Sequence, residues 1–414
     1  MWLRSGARGR KGHKAEVIGL NLKVSFPDSC RSSYNWERVL SALCRHSDSA
    51  LDKHSICTVL YKLGLHRLAE SLYVFLLGYT SSKMQIKIWV HQLNDKIKMI
   101  SVTIIGGGSV GLCLAASLVQ AGAKVNLMVR SASVEALRSE PITVSGMLGE
   151  HSINAGQLVI ENADQPTPSS LDCDVLAVTT KTYDVADAVT LYAQSPIRPR
   201  AILLMQNGLG TTEVVRSIFG PDIPVFSTAM LIGMQRKGLN HVVVSAHSSP
   251  VWIGSLLDDR PDPISAMLEL ASQGFLPMTY KEKIQEIIYS KVLFNSCMNP
   301  TGALVDRSYG ELLENIHSKN LIVHLADETL RIFAASIGYC PAKNGQEYVE
   351  NILIPAVIPN SAPHRSSMLQ DIESGHRTEI DYLNGAIIEL GKTVNVDTPF
   401  HESIVSLIHA RENV

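Results

Sequence analysis

The sequence predicts an α/β chain: a doubly wound parallel sheet, then an all-α domain, with an N-terminal extension that resembles neither. Three observations predict it. A strand, a glycine turn, a helix and a second strand follow one another in ISVTIIGGGSVGLCLAASLVQAGAKVNLMVR, residues 100–130. From there apolar strand runs alternate with helical spacing to about Lys281. Beyond Lys281 the apolar residues recur at helical spacing over long stretches with little strand signal.

Of the 414 residues, the first 98 stand apart. Residues 1–14 are rich in Arg, Lys and Gly, with no acid before Glu16. That composition suits a transit peptide, although no clear amphipathic helix accompanies it. Residues 36–77 read as two or three amphipathic helical pieces. Met99 stands directly before the first core strand, where a compact dinucleotide-binding protein would begin. The stretch before it is therefore expected to be an upstream extension or the product of a misassigned start codon.

In residues 100–130, Val102, Ile104 and Ile105 form the apolar run of a parallel strand covered on both faces. The run stops at Gly106. Gly106, Gly108 and Gly111 hold the three fixed places of G-x-G-x-x-G: a tight turn, an approach of backbone to pyrophosphate, and close packing of helix on strand. The expected phosphate loop is thus Gly106, Gly107, Gly108, Ser109, Val110 and Gly111, with helix N–H groups aimed at the anion. Leu112, Ala115, Ala116 and Val119 give the helix its inner face, Gly122 ends it, and residues 124–129 supply the next strand. At that strand's tip, a carboxylate would accept hydrogen bonds from a free ribose 2′-hydroxyl. Here the residue is Arg130, whose guanidinium grips a phosphate through parallel bonds, so the expected cofactor is NADPH.

Further strands are expected at residues 158–160, 175–179 and 201–205, with a helix at 184–192. Helices are expected at 284–298, 312–337 and 380–390, the first closed by Pro300 because a residue before proline is pushed out of helical geometry. Domain limits follow: 1–98 extension, 99–282 cofactor-binding domain, 283–414 helical substrate domain.

A net charge of −2 implies no polyanionic partner. Seven cysteines lie scattered without paired metal-ligand spacing, so free thiols, a reducing cytoplasmic compartment and no metal site are expected. The longest apolar run in the first hundred residues, 72–77, is far short of the roughly 20 residues a membrane helix needs.

Polar clusters fall where such a sheet binds ligands, beyond the carboxyl ends of its strands. Lys181 follows VLAVTT, and Gln206-Asn207-Gly208 follows AILLM. Asn207 offers both a donor and an acceptor, although Asn-Gly is also a common tight-turn pair. In KVLFNSCMNP, Lys291, Asn295 and Asn299 are spaced i, i+4, i+8 and share one helical face. Such a stripe either faces water or serves a polar ligand; repeated Asn, a poor helix former, argues for the ligand. In HRSSMLQDIESGHRTEIDYLNG, Ser367 with Gln370 fits a capping box, Gly375 ends a short helix, and Glu379 opens another where the helix dipole alone would stabilise it.

Taken together, GGGSVG, VTTKTYDV, LLMQNGLG, KVLFNSCMNPTGAL and SSMLQDIESGHRTEIDYLNG resemble the ketopantoate reductase (2-dehydropantoate 2-reductase) family from about Met99 to the C-terminus. The resemblance implies a Rossmann-type domain, a C-terminal helical domain similar to that of 6-phosphogluconate dehydrogenase, and a site in the cleft between them. It implies NADPH-dependent reduction of 2-dehydropantoate to (R)-pantoate, a step toward pantothenate and coenzyme A. By motif, Lys291 matches the catalytic lysine, and Glu379 the acid that orders cofactor and active site. Asn207, Asn295, Asn299 and Ser367 match substrate contacts, while Arg130 and Lys181 match cofactor contacts. A departure lies near Tyr309, where some members carry a further substrate-contacting Asn. Two other readings remain: another branched 2-oxo acid as substrate, and a non-catalytic NADPH-sensing module, which would have no need of a proton donor. A homodimer is expected, although no residue pattern fixes the oligomeric state.

Overall fold

The computed structural model describes residues 15–17, 22–24, 100–164 and 172–412. By its contacts the chain falls into two units that part between Met99 and Ile100. In the first, β1 (Ala15–Val17) pairs antiparallel with β2 (Leu22–Val24), a ribbon the sequence did not suggest. The helical pieces expected at residues 36–77, the basic stretch 1–14, and Cys30, Cys44 and Cys57 lie outside the described residues.

The second unit opens on the fully buried β3 (Ser101–Ile105), then α1 (Ser109–Ala121), β4 (Lys124–Val129) and α2 (Ser131–Ser139). Next come β5 (Ile142–Gly146), β6 (His151–Ile153), β7 (Val159–Asn162), β8 (Val175–Val178), α3 (Val185–Ala193), β9 (Ala201–Leu204) and α4 (Thr211–Phe219). After β10 (Val225–Ala229), β11 (Ile232–Lys237), β12 (His241–His247) and β13 (Val251–Gly254), α5 (Asp262–Ala271) leads to β14 (Met278–Tyr280). The main sheet has the order β14-β13-β10-β9-β8-β3-β4-β7 and is parallel from β7 to β10. Strand order reverses between β3 and β8, which opens a crevice at their carboxyl ends. β3, β8 and β9 are buried along their whole length because helices cover both faces, as their unbroken apolar runs require.

A second sheet, β11-β12-β5-β6, went unforeseen, as did β10, β13 and β14 of the main sheet. The strands of the second sheet mix buried with half-buried and exposed positions, so no unbroken buried run announces them.

Helices follow: α6 (Ile284–Val305), α7 (Tyr309–Glu314), α8 (Ile316–Ile337) and α9 (Gly345–Tyr348), then a π-helical stretch, Val349–Val357. The last three are α10 (Ser367–Glu373), α11 (Ile380–Thr393) and α12 (Pro399–Glu412). The region expected as one helix over 312–337 is two, because Asn315 caps α8 by accepting from His317 N at 2.9 Å.

The expectation that Pro300 closes α6 is wrong: the helix runs through it to Val305. Proline removes the N–H that would bond the carbonyl of Ser296. The Asn384 amide replaces it, donating to Ser296 O at 2.8 Å from α11. A tertiary donor thus repairs a local break.

Candidate active site

The loop after β3 is built by sterics. Gly106 has φ +117°, and a Cβ there would meet Thr179 Oγ1 at 2.7 Å; one on Gly111 would meet Gly106 O at 1.9 Å. Gly107 lies against Val129. Gly108 alone faces open space and is exposed, immediately before the uncapped N-terminus of α1, where Ser109 and Val110 begin the helix. Open N–H groups at a helix start, reached only through glycine, suit a pyrophosphate. Three further atoms suit the rest of a dinucleotide. Thr180 Oγ1, Gln206 Oε1 and Thr228 Oγ1 are buried without a hydrogen-bond partner just beyond β8, β9 and within β10. Buried polar atoms without partners are costly, so a ligand with both donors and acceptors fits there.

At the tip of β4, the guanidinium of Arg130 is largely exposed and bonds Asp184 at 2.6 Å, while Ser131 N donates to Asp164 at 2.8 Å. An exposed pair of this kind contributes little by itself, so an arriving phosphate can displace Asp184.

Glu379 shows why helix dipole arguments fall short. It precedes α11 and is buried, yet its side chain caps nothing on its own helix. It crosses to the turn after β8, where Oε1 accepts from Thr182 N at 3.0 Å and from Thr182 Oγ1 at 2.6 Å. Asn207 Nδ2 approaches Oε2 at 3.5 Å. Beside it, Lys181 Nζ donates to both oxygens of Asp371 on α10, at 2.8 and 2.6 Å. Burial alone would lower the Lys181 pKa; the carboxylates of Glu379 and Asp371 outweigh it and raise the group above its ordinary value. Gly208 is pressed against α11: a Cβ there would meet Tyr382 O at 2.3 Å.

Lys291 on α6 lines a pocket with Gln206, Asn207, Gly208, Ser227 and Thr228. Burial lowers its pKa from 10.5 to about 8, with the charge of Glu379 opposing the shift. Asn295 and Asn299 follow along the same helix, both buried. Asn299 Oδ1 accepts from Tyr309 Oη at 2.7 Å, and its backbone carbonyl accepts from Ser366 Oγ at 3.2 Å. Ser366 also caps α10 by accepting from Leu369 N at 3.1 Å, so the capping box assigned to Ser367 and Gln370 is a misreading by one residue. Ser367 is exposed at the first position of that helix.

The structure thus brings Lys291, Asn207, Glu379 and Lys181 to one crevice, sets Arg130 at the strand tip, and aligns Asn295 and Asn299 behind Lys291. Sequence reasoning missed Thr182, Asp371 and Tyr309, whose partners lie 197, 190 and 10 residues away. VTTKT and SSMLQD were visible as motifs, but nothing local says that one supplies the partner of the other.

The four described cysteines carry free thiols, and no described helix is long and apolar enough to cross a membrane.

Residues 102–258 match the family model described as ketopantoate reductase PanE/ApbA, and residues 283–412 its C-terminal counterpart. The 2-dehydropantoate 2-reductase of Aquifex aeolicus is 28% identical over 310 residues, covering 75% of this chain and 96% of that one. That of Pyrococcus horikoshii is 26% identical, covering 76% and 98%. Among solved structures, a PanE/ApbA family ketopantoate reductase from Ralstonia eutropha JMP134 aligns with a TM-score of 0.65 at 19% identity, over 76% of this chain and 99% of that one. A D-mandelate dehydrogenase with NADH and anilino(oxo)acetate aligns at 0.67 and 21%, over 76% and 98%. These two likenesses bear on fold.

Proposed function

The chain belongs to the ketopantoate reductase family of nicotinamide-dependent oxidoreductases, and from that premise we propose that it reduces 2-dehydropantoate to (R)-pantoate with NADPH, on the path to pantothenate. The observation that carries the reading is the lysine whose ammonium is destabilised by burial in a pocket it shares with Asn207 and the unpartnered Thr228 hydroxyl.

Bound against Gly106, Gly107, Gly108, Ser109, Val110 and Gly111, the cofactor would supply hydride to the ketone carbon. Negative charge then builds on the carbonyl oxygen and must be stabilised and protonated. Lys291 provides both: its charge attracts the oxygen, and a pKa near 8 eases release of the proton from Nζ. Glu379 keeps enough of that ammonium protonated and holds the turn at Thr182 in place. Asn207, Asn295, Asn299 and Ser367 bind the carboxylate and hydroxyl of the substrate. Arg130 and Lys181 exchange their carboxylate partners for phosphates, which favours NADPH over NADH. Like a dimeric ketopantoate reductase from Staphylococcus aureus, the protein is expected to act as a homodimer.

A second reading, another branched 2-oxo acid, is favoured by one feature. The Tyr309 hydroxyl donates to the side-chain carbonyl of Asn299 and occupies one of that oxygen's two lone pairs, so the amide offers a ligand its N–H donors more readily than its acceptor. Comparing kcat/KM for ketopantoate and 2-oxoisovalerate, with NADPH and then NADH, separates the readings. The proposal expects ketopantoate with NADPH to lead; preference for 2-oxoisovalerate would replace the substrate, and preference for NADH the cofactor.

A further inference from the structure

The residues flanking Glu379 in sequence are tied into a chain of charged groups that the mechanism does not use. It starts at the backbone N–H of the buried Thr378, which donates to Glu412 Oε1 at 2.7 Å. The other oxygen of Glu412 meets His409 Nδ1 at 2.9 Å. His409 Nε2 meets Asp381 Oδ1 at 2.9 Å, and Asp381 Oδ2 accepts from Arg377 Nη2 at 2.9 Å. The chain 377–381 therefore leaves α12 and returns to it, with Glu379 in the middle of the loop so formed.

We propose that His409, in its doubly protonated form, is a positioning residue for Glu379: it bridges the carboxylates of Asp381 and Glu412 and so holds the turn that aims Glu379 at Thr182 and Lys291. The inference rests on the reductase reading for its kinetic consequence. Its geometry stands independently.

The chemistry of the bridge sets its protonation. An imidazole facing a carboxylate at each nitrogen donates to both only when both nitrogens carry protons. Neutral, it turns a lone pair toward one of the two anions, and that contact becomes repulsive. The hydrogen bond that His409 donates to Glu412 is the largest influence on its pKa and raises it; burial opposes the rise, and the bond to Asp381 with the charges of both carboxylates carries the group above its ordinary value. Among the described residues, further ionisable groups around the bridge are Arg377 at the entry to α11, Tyr382 beside it, and Arg411 on α12. Arg377 pairs with Asp381 and lies 5.0 Å over the Tyr183 ring. Arg411 is directed to the carbonyls of Ala303 and Leu304. Both arginines thus have partners of their own.

Two levers act on one turn. Glu412 fixes the backbone of Thr378, one residue before Glu379, and His409 fixes Glu412. Loss of the bridge lets the 377–381 turn swing, and small displacements of catalytic groups are costly. Because the bridge exists only while His409 is protonated, the wild-type protein loses it as pH rises through the raised pKa.

The test compares full-length wild type, His409→Ala and Glu412→Gln. NADPH oxidation with ketopantoate is followed from about pH 6 to about pH 9, with amide hydrogen exchange of residues 377–382 measured at one common pH near 6. In His409→Ala, kcat/KM should stand about tenfold below wild type near pH 6. The ratio should close toward one near pH 9, where the wild type has lost its own bridge. Exchange at Thr378 should quicken. Glu412→Gln keeps an acceptor for Thr378, so it should retain slow exchange there while its activity falls at lower pH, since the histidine has lost an anion. A ratio constant with pH, or unaltered exchange at Thr378 in His409→Ala, overturns the proposal. If the wild type does not reduce ketopantoate, the reductase reading fails instead, and the exchange data alone decide on the bridge.

Discussion

Lys291 sits in a pocket whose burial works against its charge, and Glu379 is the group that works for it. The two effects predict a pH profile. As a proton donor Lys291 is competent below its pKa, so kcat/KM should fall as pH rises through about 8. Replacing Glu379 with Gln removes the charge that raises this pKa, so the falling limb should move to lower pH; a limb that stays in place would show that Glu379 acts only through Thr182. At this scale the sequence was partly legible. Lys291, Asn295 and Asn299 could be read as one face because helical spacing is local. The partners that give Glu379, Lys181 and Asn299 their settings could not, since Thr182, Asp371 and Tyr309 come from other elements. The choice of Ser367 over Ser366 as the cap failed for a related reason. Two adjacent serines satisfy the same pattern, and only the burial of Ser366 against Asn299 separates them.

Among the elements, α6 departs furthest from local rules. A proline in its interior removes a hydrogen bond and ordinarily bends or ends a helix. Asn384 supplies the missing donor to Ser296 O, and the same amide nitrogen lies 3.0 Å from His401 Nδ1 in the core. Asn384→Ala leaves the Ser296 carbonyl without its tertiary donor in a buried setting. Urea unfolding should therefore show a loss of about 1–3 kcal/mol. A change within error would mean that water or a helix kink satisfies the carbonyl as well. Most strands of the parallel sheet were legible because continuous apolar runs mark strands buried on both faces; β10 was not, because Ser227 and Thr228 interrupt its run. The strands of the second sheet were not, as half-buried residues carry no such run.

At the scale of the molecule, the glycine loop after β3 and a lysine on α6 are joined by contacts between the turns after β8 and β9 and the helices α10 and α11. The motif GGGSVG and the change to helical spacing after Lys281 were enough to foresee both parts. Their joint depended on side chains far apart in sequence. At this joint, in the proposed reaction, Lys291 gives its proton to the oxygen of a 2-oxo acid. The most direct measurement is single-turnover NADPH oxidation with ketopantoate in wild type and Lys291→Ala, alongside NADPH binding by fluorescence. The account predicts a rate reduced by about 10²- to 10⁴-fold with NADPH affinity nearly unchanged. A Lys291→Ala protein that oxidises NADPH at the wild-type rate would contradict it.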